Sequence, residues 1–84
     1  MTFKVSDGEI NIRNAKKVYS DGVKSLVKNK SCEIDLTAVE QLDTAGVSVL
    51  IALWQYGLKN SVECHFKASQ QVEAALRVYN IELP

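Results

Sequence analysis

Short bursts of alternating apolar and polar residues punctuate this chain, and between them apolar residues recur at helical spacing. Phe3 and Val5 alternate with polar neighbours, as do Ile10 and Ile12, and Asp7-Gly8 between them is a hairpin signal. Two short antiparallel strands are therefore predicted first. Asn14 offers a helix N-cap, and Ala15, Val18, Tyr19, Gly22, Val23, Leu26 and Val27 form one buried stripe. Lys16, Lys17, Ser20, Asp21, Lys24 and Lys28 lie outside that stripe, and Asn29-Lys30-Ser31 ends the helix. Cys32, Ile34 and Leu36 alternate with Glu33 and Asp35 as a third strand, and residues 37–42 read as a loop. A second helix is predicted over 44–60. A fourth strand covers 62–67, with Val62, Cys64 and Phe66 on one face. Ser69 caps a third helix over 70–79, whose stripe is Val72, Ala75, Leu76 and Tyr79.

This order, β-β-α-β-α-β-α, predicts an α/β fold. Strand-helix-strand units need right-handed crossovers, so the later strands should be parallel neighbours. The expected architecture is a mixed sheet of about four strands with three or more helices packed on it, mainly on one face. The 84 residues make one domain, spanning 1–84.

The second helix is unusual in its apolar breadth. On a wheel with Thr44 at the origin, Gly46, Leu50, Leu53 and Gly57 form the sheet-facing stripe. Thr44, Ser48, Ala52, Gln55 and Lys59 make the only polar face. Val47, Ile51, Trp54 and Leu58 fill one flank, and Ala45, Val49 and Tyr56 the other. The apolar arc is about 240° wide, against the ~100° stripe of an ordinary surface helix. Either neighbouring helices cover the excess, or part of it is a surface for a partner, with Trp54 as anchor. The candidate partner-binding residues are Thr44, Val47, Ser48, Ile51, Trp54, Gln55 and Leu58. Thr44 also has two readings. It can cap the helix itself, or Asp43 can cap and leave the Thr44 hydroxyl outward. In the second case a phosphate on Thr44 would be tolerated by the helix start, although Asp43 and Asp35 would oppose it.

Charge and chemistry narrow the functions. Ten basic and ten acidic residues cancel, leaving no basic excess for nucleic acid or an anionic membrane, and the lysines of 15–30 read as a solvated helix face. The N-terminus lacks a signal peptide's apolar stretch, and the longest apolar run, 47–54, is too short to cross a bilayer. The expected setting is cytoplasmic. Cys32 and Cys64 fit no metal or redox spacing and are expected as small buried strand residues. His65 is the only histidine, and no residue pattern marks a nucleophile beside it. With no phosphate loop, metal motif or acid/base pair, no cofactor and no catalysis are expected.

The strand Glu33-Ile34-Asp35-Leu36, a short loop, and then Leu42-Asp43-Thr44-Ala45-Gly46 opening an apolar helix resemble the STAS domain family. The family includes anti-sigma factor antagonists and domains attached to anion transporters, and the order of elements agrees over nearly the whole chain. Segment 34–46 and the ending Leu76-Arg77-Val78-Tyr79-Asn80-Ile81 with Leu83-Pro84 are most similar to the small STAS subunits of bacterial phospholipid-transport ABC complexes. That resemblance implies a non-catalytic subunit that binds the ATPase subunit of an ABC transporter and reaches the inner membrane only through the complex. Thr44 falls where anti-sigma factor antagonists carry their phosphorylated serine. An antagonist would instead partner an anti-sigma factor kinase. Around 9–14 the chain has Ile-Asn-Ile-Arg-Asn where many relatives have a Gly-Glu-Leu-Asp-like turn, which weakens the antagonist reading.

Overall fold

The computed structural model describes the whole chain, Met1 to Pro84. Its elements are β1 (Thr2–Lys4), β2 (Glu9–Ile10), α1 (Ala15–Leu26), β3 (Ser31–Leu36), β4 (Gln41–Leu42), α2 (Thr44–Lys59), β5 (Glu63–Ala68) and α3 (Gln70–Val78). The fold is α/β, with three helices and parallel strands. The main sheet has the order β1-β3-β5, and β2 and β4 form a separate parallel pair.

Strand register sorts the residues into two faces. Phe3, Ile34 and Phe66 share a row, Cys32 stands beside Cys64, and Leu36 beside Ala68. This face joins the core, where Ile34, Leu36, Leu50 and Leu53 are almost wholly buried. Each such leucine contributes about 1.5–3 kcal/mol by leaving water. The opposite face carries Thr2, Glu33 and His65 in one row and Lys4, Asp35 and Lys67 in the next. It is polar and open, which is uncommon for a parallel sheet. The helices therefore cover a single face. α2 lies close enough to β5 that a Cβ on Gly57 would stand 2.5 Å from the Cys64 sulfur.

Helix ends follow local chemistry. Ser69 caps α3 by accepting from the Val72 N–H at 3.1 Å. Both α2 and α3 end with a left-handed residue, Ser61 (φ 59°) and Asn80 (φ 55°). Beyond them Val62 N–H donates to Gly57 and Ile81 N–H to Leu76, the six-to-one bonds of a Schellman close. After that turn the last residues run along the outer edge of β5, where Phe66 N–H donates to the Pro84 carbonyl at 2.8 Å. Ile81 and Leu83 pack against the core there.

Several sequence expectations are corrected. The first two strands do not form an antiparallel hairpin. A tight primed turn needs positive φ, and no glycine has it; the Gly8 carbonyl instead accepts from Glu40 and Gln41 N–H, drawing β2 to β4. The expected loop over 37–42 thus ends in a short strand. Ile12 lies in an exposed turn rather than in a strand. Asn14 occupies the N-cap position but makes no cap bond; its side chain donates to the Glu9 carbonyl and accepts from Asn11 N–H. Val27 and Tyr79 lie just beyond the last helical residues and are exposed, not part of the buried stripes.

A candidate docking surface at the start of the second helix

The strand β3 ends at Leu36, and the chain returns through β4 to deliver Asp43 and Thr44 to the start of α2. Asp43 is the cap: its Oδ1 accepts from Gly46 N–H at 2.9 Å. The choice left open for Thr44 is thereby resolved, because its hydroxyl is free of the capping role and exposed. That hydroxyl instead lies 3.1 Å from the Tyr79 hydroxyl, which comes from the end of α3. Ser48 Oγ donates back to the Thr44 carbonyl at 3.0 Å. Gly46 is required here, since a Cβ would collide with the Ile10 carbonyl oxygen and with Leu42. That close approach locks the start of α2 onto β2 and β4, so the Thr44 hydroxyl has a fixed address.

Of the candidate partner-binding residues, Thr44, Ser48, Gln55 and Leu58 are exposed, and Leu58 is 67% exposed. Trp54 is half-buried, and Ile51 is half-buried against the core. Val47 is a correction. At 4% exposure it is part of the same buried cluster as Leu50 and Leu53, so this flank of the helix start faces the interior and not solvent. On the other flank a shallow groove of about 440 Å³ separates α1 from α2, with a floor of Ala15, Ala45, Val49 and Ala52 and a rim of Tyr19, Lys16 and Ser48. Tyr79 was missed as a surface residue. Its pairing with Thr44 spans 35 positions, and no local pattern signals it.

Titratable groups near the sheet are tuned for structure. The Thr37 hydroxyl and then its backbone N–H hold the Asp35 carboxyl below its usual range. Desolvation by burial pushes the Cys32 and Cys64 thiols up, so both are poor nucleophiles. His65 Nε2 sits 2.9 Å from Glu63 Oε1 on the open sheet face, with no nucleophile in its hydrogen bonds. No group of three or more His, Cys, Asp or Glu side chains is placed to hold a metal ion. No helix is long and apolar enough to cross a membrane.

The structure is thus a one-sided α/β layer with an outward hydroxyl at a fixed helix start and one exposed apolar side chain, Leu58, near the other end of that helix. The chain belongs to the STAS domain family, whose model matches residues 4–82. Membership indicates an anti-sigma factor antagonist or a transporter-associated role. No curated protein matches the chain.

Proposed function

We propose that this chain is a non-catalytic accessory subunit that binds and supports the ATPase subunit of a phospholipid-transport ABC complex, one that maintains outer-membrane lipid asymmetry. It would sit in the cytoplasm, held at the inner membrane by the complex. The observation that carries this reading is the fixed, exposed Thr44 hydroxyl at the start of α2, with Ser48, Ile51, Trp54, Gln55 and Leu58 following along the same helix. A small hydroxyl fits a tight interface, and Trp54 and Leu58 supply apolar area toward the other end of α2. The similarity of 34–46 and of the C-terminal segment to small transporter STAS subunits adds the choice of partner.

An anti-sigma factor antagonist is the second reading, favoured by one feature: Asp43 caps the helix and leaves Thr44 free for phosphorylation. The Tyr79 contact and the neighbouring Asp43 carboxylate both work against a phosphate there. Affinity purification of the tagged chain from its native cells, with the partner identified by mass spectrometry, separates the two. Recovery of an ABC ATPase supports the first reading. Recovery of a kinase-type anti-sigma factor in its place replaces it with the second.

A further inference from the structure

The chain's zero net charge conceals a strong separation. Between Arg13 and Lys30 stand six basic residues (Arg13, Lys16, Lys17, Lys24, Lys28 and Lys30) and one acidic residue, Asp21, a net of +5; the rest of the chain therefore carries −5. All six basic residues are exposed. None has an ion-pair partner, since the only pair in the domain joins His65 to Glu63. Within α1, Lys16, Lys17, Ser20 and Lys24 fall in an arc of about 100° on the side away from Val18, Gly22 and Leu26. At the two ends of this ridge lie Ile12, 79% exposed, and Val27, 57% exposed.

We propose that the outer face of α1 rests on an anionic lipid surface. Clustered lysines and arginines are drawn to acidic headgroups, here three on α1 and three on the segments that flank it, and an isolated apolar side chain at each end can enter the headgroup layer. The shape of the face selects this occupant over an acidic peptide. A peptide needs a groove, and of these six residues only Lys16 lines a cleft large enough to hold one with apolar contacts. The other five line no cavity, and an exposed surface of this kind suits a broad, deformable polyanionic layer. This contact is independent of the α2 docking face and supplies a direct membrane attachment where the sequence led us to expect only an indirect one.

The test uses the full chain alone, so it succeeds or fails irrespective of the ATPase reading. Flotation is measured with vesicles of phosphatidylcholine and with vesicles in which part of it is replaced by phosphatidylglycerol. The expected result is retention on the anionic vesicles only, lost as salt is raised. Lys16→Glu/Lys17→Glu/Lys24→Glu should reduce partitioning by more than about tenfold, as each basic residue near the surface matters at the level of a several-fold change. Lys4→Glu/Lys67→Glu, on the open sheet face, should leave it unchanged. Circular dichroism melting checks folding, and the milder Lys16→Gln/Lys17→Gln/Lys24→Gln replaces the triple glutamate if that does not fold. Equal retention on neutral vesicles, or full retention by a folded triple variant, overturns the proposal. So does tighter binding to duplex DNA or polyglutamate than to anionic vesicles at the same salt.

Discussion

Replacing Thr44 with glutamate should separate docking from folding. In the free domain Thr44 is exposed, and its hydroxyl makes one side-chain contact, at 3.1 Å to Tyr79. Losing an ordinary hydrogen bond costs about 0.5–1.5 kcal/mol, and an exposed one sits at the low end. A carboxylate in the first turn of α2 returns about 0.3–1 kcal/mol. Repulsion from the Asp43 cap removes about 1 kcal/mol at ~4 Å in water. The sum is a net loss of about 0.5–1.2 kcal/mol, so Thr44→Glu should lower stability by only about 1 kcal/mol, or about 4–8 °C in Tm. At a closed interface the same charge is desolvated without a partner, at a cost of about 3–5 kcal/mol. Each 1.4 kcal/mol is about tenfold in Kd, so binding should weaken by about a hundredfold or more. Titration calorimetry against the purified ATPase subunit proposed as its partner, with a melting curve on the same protein, reads both quantities. Undiminished binding would remove Thr44 from the contact. A collapsed melting temperature would contradict the assignment of Asp43 as the cap.

Three other outcomes follow from the packing and the titrating groups. Leu50→Ala or Leu53→Ala should each cost about 2–5 kcal/mol in urea unfolding, since both side chains are fully buried beneath α2. Ser61→Gly should raise stability by up to about 1 kcal/mol in the same assay, because Ser61 holds φ 59° at the close of α2, where a side chain is strained. The Asp35 carboxyl titrates below its unfolded value, so its contribution is complete above the unfolded pKa and lost as pH falls through the lower folded one. Asp35→Asn should flatten the stability-versus-pH curve within that acidic window, measured by urea melts across pH.

Where side chains alternate or recur within ten residues, the sequence already reveals the structure. The buried stripe of Gly46, Leu50, Leu53 and Gly57, the Ser69 cap and the three-residue face of β5 are local facts, and the folded chain keeps them. Asn14 is misread for a local reason, since its side chain bonds Glu9 and Asn11, but the larger misreadings depend on distant partners. Asp7-Gly8 carries a hairpin signal, yet Glu40 and Gln41 claim the Gly8 carbonyl from more than thirty residues away. Val47 looks like surplus surface on a wheel and disappears once the start of α2 is packed. Thr44 was legible as a candidate site residue, but its hydroxyl partner Tyr79 was not, because only the tertiary fold brings α3 beside the start of α2.

The strand β5 is one of the two edges of the main sheet, and its outer backbone groups would suit the strand of another molecule. The strap of the last four residues runs along that edge, tied to it by the Phe66–Pro84 bond, and Phe66, Ile81 and Leu83 line one cleft there. The Schellman turn at Asn80 aims the strap, so a residue that disfavours positive φ there would loosen a guard against self-association as well as a helix end. A chain ending at Asn80 should therefore stay folded through α3 but stick to itself, raising light scattering at concentrations where the full chain remains clear. A truncated chain that scatters no more than the full one would show that the strap protects nothing. In this fold an irregular stretch of the polypeptide covers part of the rim of its most regular one.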